Sequence, residues 1–506
     1  MRLLFMNSGQ TRTRLVKAGV ALSAAALIAG CGSAYRSVIT PINSSGPAAQ
    51  PSSLAVVVSS PSTTSPGIAT VLDYSGDTIM AQAPIGPGPT TFSLDATGTY
   101  GYTFNSDGTL TNFPVSNNLQ AKNVQYTTMP AGTNPNGFFS PSAGLWATDL
   151  DGNNVDVFSG YPQSFKQTIQ VASTPIMILG PGTIGERNYA ISQSPDSLPA
   201  DALDTNGVDC NNNPAGVTSN GVLTPIETSS LTADTPIKVG KCPVYAVMSA
   251  DGRRLFVLNR GDDTISVINV QTNALDKCSG LISQNGQPVT CHPVLPLSTT
   301  AVAATGVTLP VGSVVTGAIA GPVYAEYNQA TNQLVVSNYD GSSVSIIDVS
   351  MDEYGNDSAT FGTTYTVPVG ANPASVTVLY DGSRAYTANQ TDGTVTIVNV
   401  PSHTVEKTLS VVGHPRTVVS TQNSQFGKVY VASPDSPYVT ILSTINDGVD
   451  TVNLNQGNVV DVRATTQNAN SGNAINTSRK PGYGQPCYLP GTLASASIGT
   501  CTTLPK

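Results

Sequence analysis

Charged residues are scarce in this sequence. They make up 10% of its 506 residues, whereas a typical soluble domain carries about 25%. The balance is also acidic, with 22 Lys and Arg residues against 31 Asp and Glu residues. Binding to nucleic acid depends on clustered Lys and Arg side chains. The composition therefore argues against a nucleic-acid-binding protein, and we predict no nucleic-acid partner.

The motifs of several enzyme classes are also absent. The sequence contains no HExxH motif, no GxSxG nucleophile elbow, no GxxxxGK[ST] phosphate loop and no CxxCH haem attachment. Zinc sites usually combine Cys and His ligands, but the chain has no CxxC pair and three His residues, His292, His403 and His414. We predict no cofactor and no metal, with a divalent cation as the alternative.

A basic segment followed by an apolar one opens the chain. Residues 1–17 include Arg and Lys but no acidic residue, and the apolar segment 18–30 is too short to span a bilayer as a helix. It ends in Ile28-Ala29-Gly30-Cys31, which resembles a bacterial lipobox. The resemblance implies a signal peptide over residues 1–30 and lipidation of Cys31. The alternative is an ordinary secretory signal beside an unrelated cysteine.

The residues after Cys31 bear on where the protein resides. Gly32 stands where inner-membrane lipoproteins carry Asp, so the resemblance implies the outer membrane if the host has two membranes. Residues 31–53 are rich in Ser, Pro, Gly and Ala, which is typical of a flexible tether. No second apolar run of about 18 residues follows. We expect an exported lipoprotein of the cell envelope that contacts the membrane through its lipid anchor only.

The other cysteines indicate disulfide bonds. Seven Cys residues minus Cys31 leave six, an even number that favours disulfides in an exported chain. Proximity in the sequence favours Cys278–Cys291 and Cys487–Cys501, which leaves Cys210–Cys242 as the third pair. A metal site is the alternative use of these residues.

Short apolar segments separated by turn residues recur along the chain. Residues 239–273 alternate apolar strands with Gly and Asp turns, and the pattern returns at 369–400 and, less regularly, at 412–442. Such alternation predicts antiparallel strands joined by tight hairpins. The second strand of each unit recurs at intervals of about 44 residues, and two of the intervals are longer. Four-stranded blades with insertions are expected to give this spacing. The predicted second strands are 55–58, 100–104, 145–148, 188–191, 255–258, 334–337, 385–388 and 429–432.

A four-residue motif recurs in the second strands. Its copies are Phe256-Val257-Leu258-Asn259, Val335-Val336-Ser337-Asn338, Tyr386-Thr387-Ala388-Asn389 and Tyr430-Val431-Ala432-Ser433. The motif resembles the YVTN family of β-propeller repeats, specifically over residues 239–442 and only loosely over 54–238. The resemblance implies an all-β protein, a closed β-propeller of four-stranded antiparallel blades. Members of this family commonly have seven blades, whereas this sequence contains eight second strands.

Ring closure explains both ends of the repeat region. The first unit lacks an innermost strand before Leu54, and residues 458–462 supply an extra strand after the last unit. We therefore predict a closed propeller over residues 54–465, with eight blades preferred and seven as the alternative. Two smaller β-domains are the competing arrangement. The other predicted segments are insertions near 193–222 and 276–315 and a low-complexity tail over 466–506.

The recurring Val-Gly-x-x-Pro segments and the turns of the repeats suggest local roles. We expect the glycine of each segment to adopt a positive φ.

Propellers generally bind ligands where the turns between second and third strands meet the connections between blades. Those turns carry mostly Asp residues, which either attract a cation, a basic peptide or an amine-bearing ligand or satisfy amides within their own turns. The candidates are Asp107, Asp149, Asp151, Arg260, Asp262, Asp263, Asp340, Asp392 and Asp435.

Two functions of different classes follow from these observations. The preferred hypothesis is a monomeric, non-catalytic binding scaffold whose partner is an envelope or extracellular protein or a glycan. The alternative is a propeller hydrolase or lactonase with a carboxylate or a divalent ion in the central channel. Its candidate residues are Glu326, on a predicted innermost strand, and His414, in a connection between blades.

Overall fold

Eight antiparallel β-sheets arranged as a propeller make up the computed structural model of this chain. The predicted lipidation site and tether lie outside the described residues, as does almost all of the predicted tail. The structure describes residues 54–465, except 74–76, 141–143, 182–186, 194–209, 211–213, 218, 278–289, 299–318, 353–355, 422–423 and 425–426, and it adds two short paired strands at 486–487 and 499–500.

The strands of blades 1 to 4 follow one order from the centre of the ring outward. Blade 1 consists of β34 (Asn458–Ala464), β1 (Leu54–Ser60), β2 (Pro66–Asp73) and β3 (Thr78–Pro87). Blade 2 consists of β4 (Pro89–Leu94), β5 (Tyr100–Asn105), β6 (Thr109–Pro114) and β7 (Gln125–Thr128). Blade 3 consists of β8 (Pro135–Phe139), β9 (Gly144–Asp149), β10 (Asn154–Ser159) and β11 (Ser164–Gln170). Blade 4 consists of β12 (Pro175–Leu179), β13 (Arg187–Ser192), β14 (Asn220–Glu227) and a divided outer strand, β15 (Thr232–Ala233) and β16 (Ile237–Lys241).

Blades 5 to 8 repeat this order. Blade 5 consists of β17 (Pro243–Met248), β18 (Arg254–Asn259), β19 (Thr264–Asn269) and a divided outer strand, β20 (Ala274–Leu275) and β21 (Val294–Pro296). Blade 6 consists of β22 (Pro322–Asn328), β23 (Gln333–Asn338), β24 (Ser343–Asp348) and β25 (Thr364–Pro368). Blade 7 consists of β26 (Pro373–Val378), β27 (Arg384–Asn389), β28 (Thr394–Asn399) and β29 (Thr404–Ser410). Blade 8 consists of β30 (Thr417–Ser420), β31 (Lys428–Ala432), β32 (Tyr438–Ser443) and β33 (Val449–Asn453).

The C-terminal strand closes the ring. β34 pairs antiparallel with β1, with Asp461 opposite Val58, and the backbone N–H of Leu54 donates to Thr465 Oγ1 at 3.2 Å. Each of the eight segments predicted as second strands occupies that position in its blade. The eight-bladed propeller is therefore confirmed, and the alternatives of seven blades and of two smaller domains are wrong.

Packing between neighbouring blades forms the core. β17, β18 and β19 are buried at every position, because both sides of these central strands face another blade. At the closing seam, Val419 and Tyr430 of blade 8 belong to the same buried cluster as Val57 and Val462 of blade 1. Full burial of such an apolar side chain contributes about 1.5–3 kcal/mol, a gain that a lone blade with wet faces would lose. The stability of each blade therefore depends on its neighbours in the ring.

The recurring glycine before the inner strand has a role other than the expected one. Gly240 and Gly370 do not adopt a positive φ. A Cβ atom on Gly240 would instead lie 2.5 Å from Asn259 Cγ, and one on Gly370 would lie 2.6 Å from Asn389 Nδ2. Asn259 fills this space while its Nδ2 donates to Ser266 Oγ at 3.0 Å and so caps the hairpin. Glycine is needed because the capping Asn occupies the place of a side chain.

The strand directions give the ring two different faces. Each second strand runs antiparallel to its inner strand, so the turns after the second strands and the connections before the inner strands meet on one face, which we call the connection face. Leu54 and Thr465 lie on the opposite face, the chain-end face, with the turns between third and fourth strands. The described helices are two 3₁₀ turns, Ala121–Asn123 and Pro214–Gly216. None of the helices in the described part of the chain has the length and apolar character needed to cross a bilayer.

Candidate functional site

The predicted mouth residues all lie on the connection face. Each is located at or just after the end of a second strand, in the turn that leads to the third strand. Asp107, Asp151, Asp340 and Asp392 are exposed, whereas Asp149 and Asp263 are buried. The corresponding turn of blade 4 falls largely outside the described residues. The described part of the face therefore combines exposed and buried carboxylates.

Several of these carboxylates bind the backbone of the segment that leads into their own blade. In four blades, a turn Asp accepts the backbone N–H of a residue shortly before the inner strand, and in blade 5 that residue ends the outer strand of blade 4. This contact ties the turn to the connection, whereas the alternative interpretation of the turn Asp residues expected bonds to amides of the same turn. The bonds are Asp149–Asn134 at 2.8 Å, Asp262–Lys241 at 3.1 Å, Asp392–Ala371 at 2.6 Å and Asp435–His414 at 2.9 Å.

The junction of blades 5 and 6 carries the densest group of charges on this face. Arg260, which is buried, makes a two-pronged ion pair with Asp340, with Nε–Oδ2 at 2.8 Å and Nη2–Oδ1 at 2.7 Å. Asp263 accepts the backbone N–H of Gly321 at 2.8 Å and the Ser298 hydroxyl at 3.0 Å. Arg260 and Asp263 therefore join the two blades.

Burial changes the acidity of two of these carboxyls. Burial raises the pKa of Asp262 to about 6. Hydrogen bonds from the Thr264 hydroxyl and the backbone N–H of Lys241 lower this pKa, but their effect is smaller. Burial likewise raises the pKa of Asp263 above its usual range. Asp262 thus keeps its proton to a higher pH in the folded protein than an ordinary Asp does.

A disulfide lies beside this junction. Cys210 and Cys242 are bonded, as predicted, and both are buried with Val217 in one small cluster. The carbonyl oxygen of Cys210 accepts Arg260 Nη1 at 3.4 Å. The bond therefore fixes part of the insertion from blade 4 over the connection that leads into blade 5. Cys291 is also in a disulfide, and its partner, like the sulfur atoms of Cys487 and Cys501, lies outside the described residues.

The two candidate catalytic residues have different surroundings. Glu326 is fully buried on β22, and its Oε2 accepts the backbone N–H of Val378 in blade 7 at 3.1 Å. His414 has a 42% exposed side chain in the connection before blade 8, and its Nδ1 lies 2.6 Å from Asp435 Oδ2. Glu326 is therefore shielded from solvent, whereas His414 lies at the surface of the connection face.

The inner strands carry further charged residues that sequence reasoning missed. Asp461 and Arg463 of the closing strand are buried and joined by an ion pair of 2.8 Å. Arg416, which precedes the inner strand of blade 8, is also buried, and its Nη2 donates to the carbonyl oxygen of Val460 at 2.8 Å. Burial lowers the pKa of Arg416 to about 10, although the charge of Asp461 raises it. The hydrogen bond from Arg416 thus ties the closing strand to blade 8, in addition to its β-pairing with β1.

These charges extend across the centre of the ring. The rings of Tyr245 and Tyr324, on the inner strands of blades 5 and 6, lie 4.5 Å apart. Burial raises the pKa of Tyr324 to about 12, and the positive charge of Arg463 in blade 1 opposes this effect. Burial also raises the pKa of Tyr245, and Arg463 opposes this effect as well. Tyr245 is in blade 5, which lies opposite blade 1 in a ring of eight, so Arg463 acts across the channel. Buried polar side chains therefore occupy the channel at this level.

The sequence does carry a signal for these channel residues. Glu326 stands out because a carboxylate on an apolar inner strand is unusual. Asp461 and Arg463 interrupt the closing strand in the same way, on either side of Val462. The same rule, applied to residues 458–464, identifies both of them.

One described group of side chains has the spacing of metal ligands. Ligand atoms of Asp276, Cys291 and Asp357 all lie within 4.8 Å of one another. The sulfur of Cys291 is in a disulfide, and Arg254 Nη2 lies 2.9 Å from Asp276 and 3.4 Å from Asp357. The guanidinium already supplies the positive charge that a metal would bring. These residues therefore fit a buried ion-pair network rather than a metal site.

The chain resembles solved propeller structures only at the level of the fold. No protein-family model and no curated protein matches it. Apo AztD from Citrobacter koseri is 12% identical, with a TM-score of 0.51 over 81% of this chain and 97% of that one. The dihydro-heme d1 dehydrogenase NirN, in complex with DHE, is 13% identical, with a TM-score of 0.50 over 85% and 78%. A putative 6-phosphogluconolactonase from Bacteroides fragilis is 13% identical over 83% and 99%, and its TM-score of 0.45 is too low to support the lactonase alternative.

Proposed function

We propose that this protein is a lipid-anchored, non-catalytic binding scaffold of the bacterial cell envelope, built from repeats of the YVTN family. Its partner is an envelope or extracellular protein or a glycan with positively charged groups. Lipidation of Cys31, after removal of residues 1–30, attaches the scaffold to the outer membrane of a host with two membranes. The chain acts as a monomer, because β34 closes the ring by pairing with β1 of the same chain and not with a strand of another copy.

The burial of the channel charges is the observation that carries this proposal. Glu326, Asp461 and Arg463 are buried inside the ring, and Glu326 and Asp461 already accept hydrogen bonds from the protein. A general base must come within hydrogen-bonding reach of its substrate, and a shielded carboxylate does not. The lactonase alternative therefore has no accessible base in Glu326.

The accessible polar groups are instead on the connection face, where they are carboxylates and His414, whose Nδ1 pairs with Asp435. Asp107, Asp151 and Asp392 are exposed there, and a surface of one charge sign attracts partners of the opposite sign. The rigid ring holds these groups at fixed separations, which lowers the ordering cost of binding.

Capture of envelope components by the purified protein tests the proposal. The variant Asp107→Asn/Asp151→Asn/Asp392→Asn should lose at least about tenfold in binding of the captured component, with the loss shrinking at high salt. The matched control is Asp234→Asn/Asp352→Asn/Asp450→Asn, which removes the same charge from exposed positions outside the connection face.

Two results would contradict the scaffold. Equal capture by both triple variants would show that the connection face is not the binding surface. Hydrolysis of a lactone panel by the native chain, abolished by Glu326→Gln, would establish the enzyme instead.

A further inference from the structure

A buried arginine without a carboxylate partner lies at the seam between blades 8 and 1. Four Arg side chains of the described chain are buried, and three of them make ion pairs with carboxylates. The fourth is Arg416, which has no carboxylate within ion-pair distance among the described residues. The three paired side chains are Arg254 with Asp276 and Asp357, Arg260 with Asp340, and Arg463 with Asp461.

The guanidinium of Arg416 has more donors than the protein uses. Its Nη2 donates to the carbonyl oxygen of Val460, on the closing strand, at 2.8 Å. Its Nε is also buried, and no acceptor of the described chain lies within hydrogen-bonding distance of it. A buried donor without an acceptor is costly to the folded state, and a buried charge without an opposite charge is more costly still. A negatively charged acceptor would remove both costs.

The charges around Arg416 do not compensate it. Burial lowers the pKa of Arg416 to about 10, and the charges that act on this pKa are those of Asp461, which raises it, and Arg463, which lowers it further. Asp461 is already paired with Arg463 at 2.8 Å. Glu326 binds the backbone N–H of Val378 in blade 7 and is not among the groups that shift the pKa of Arg416. Two cations at this seam therefore share one carboxylate, and positive charge is in excess.

A second buried donor faces the same seam. Thr417 Oγ1 is buried and has no hydrogen-bond partner in the described part of the chain. Val419, two residues further along β30, belongs to the same buried cluster as Val462 of blade 1. Because side chains alternate along a strand, Thr417 is directed toward blade 1 as well. A guanidinium N–H and a hydroxyl thus both lie without an acceptor where the inner strand of blade 8 meets the closing strand.

The position of these donors limits the kind of ligand that they could hold. Arg416 and Thr417 are located at the start of the inner strand, so they lie at the end of the channel that opens on the connection face. Arg416 is 3% exposed and Thr417 is 1% exposed, which excludes a large ligand. The exposed carboxylates of the connection face repel a multiply charged anion more strongly than a singly charged one.

We propose that Arg416 and Thr417 bind one small, singly charged anion, a halide or a small carboxylate such as formate, at the seam where the ring closes. The Nε–H of Arg416 and the hydroxyl of Thr417 donate to the anion, while Nη2 of Arg416 stays on Val460. The anion neutralises the excess charge and so strengthens the contact between blade 8 and the closing strand. This inference goes beyond the proposed function, because the ligand has the opposite charge from the proposed partner and lies inside the ring.

Anomalous diffraction from crystals of the full chain grown in sodium bromide tests the position of the site. Bromide takes the place of chloride and scatters anomalously. A peak is expected within hydrogen-bonding distance of both Arg416 Nε and Thr417 Oγ1, and it should be lost in Arg416→Gln. Bromide peaks that lie only elsewhere on the protein, or no peak at all, would overturn the proposal.

The chloride dependence of the thermal unfolding midpoint tests the site in solution. A ligand that binds only the folded state raises the midpoint. With sulfate keeping the ionic strength constant, a roughly thirtyfold rise in chloride should raise the native midpoint by about 2–4 °C relative to Arg416→Gln. Replacing chloride by formate separates the two ligand classes, because an equal rise includes small carboxylates and a rise with chloride alone restricts the site to halides.

Two further variants keep this test decisive if Arg416→Gln folds poorly. Thr417→Val preserves the shape of the side chain and removes only the hydroxyl, so the response to chloride should shrink. The matched control is Lys238→Met, which removes a cation from an exposed position on the outer strand of blade 4 and should respond to chloride as the native chain does. A native response in Thr417→Val, or a response lost equally in Lys238→Met, would overturn the site.

Discussion

The connection face and the chain-end face use most of their carboxylates in opposite ways, and the Arg260–Asp340 pair of the connection face is the exception. On the connection face, Asp149, Asp392 and Asp435 accept backbone N–H groups of the connections that lead into their own blades. On the chain-end face, Asp77 and Asp447 pair with cationic side chains of the preceding blade. The first arrangement shapes a blade and keeps its negative charge, whereas the second joins two blades and cancels charge.

The contacts of the chain-end face recur at equivalent positions. A cation at the start of a second strand reaches the segment between the third and fourth strands of the next blade. The difference between the faces shows that one ring can pair carboxylates with cations of the preceding blade on one side and with backbone N–H groups on the other. The recurring pairs are Arg254–Asp357, Arg384–Asp447 and Lys428–Asp77.

Removing the most buried of these cations should cause the largest loss of stability. Arg254 is 1% exposed and faces Asp276 and Asp357, which are equally buried. Arg254→Ala leaves two carboxylates in the interior without their guanidinium, a change that costs about 3–5 kcal/mol. The thermal unfolding midpoint, followed by circular dichroism, should therefore fall markedly.

Arg384→Ala is the matched control on the same face. Arg384 and Asp447 are partly exposed, and Lys407 lies 3.7 Å from the same carboxylate, so the loss should be only about 1–2 kcal/mol. If both variants lost the same stability, burial would not set the strength of these contacts, and the comparison of the two faces would need revision.

Most of the fold could be predicted from the sequence. The alternation of apolar and turn residues located all eight second strands and the closing strand, because strand period and hairpin turns are local properties of the chain. The insertions broke that regularity, and the contacts of Cys210 with Arg260 depend on how a long segment lies over the next blade.

The candidate site was less predictable because its contacts are made between blades. In the sequence, Tyr324 and Arg416 are distant from Asp461 and Arg463. The charges of these two residues shift the pKa values of Tyr324 and Arg416 only after the ring has closed. The glycine before the inner strand shows the same limit. Gly240 suggested a turn conformation, but the reason for it is the side chain of Asn259, which the fold brings beside it.

Substitution of that glycine should have the next largest effect. Gly240→Ala places a Cβ atom 2.5 Å from Asn259 Cγ, and such overpacking costs about 1–3 kcal/mol. The double variant Gly240→Ala/Asn259→Ser, which removes the obstructing amide, should recover part of the loss in thermal denaturation. If the double variant lost the sum of both single losses, the two residues would not be coupled, and the glycine would have a conformational role after all.

Neutralising Asp262 should change the stability of the protein least, and it should increase stability rather than decrease it. Its pKa of about 6 in the folded protein lies above the ordinary value of about 3.9. The folded state therefore favours the protonated carboxyl, and the native protein loses stability relative to a neutral variant as the pH rises from about 4 to about 6. With allowance for partial exposure, Asp262→Asn should gain about 1–2 kcal/mol at pH 7.5 and almost nothing at pH 4.

The control for this experiment is Asp392→Asn, at the equivalent turn of blade 7. Asp392 is exposed and accepts the N–H of Ala371, so its neutralisation should change stability little at either pH. A gain for Asp262→Asn that was independent of pH would show that burial of the charge is not its cause. A gain confined to neutral pH would mark Asp262 as a carboxylate that the fold keeps at a cost in stability, which is the behaviour expected of a functional residue.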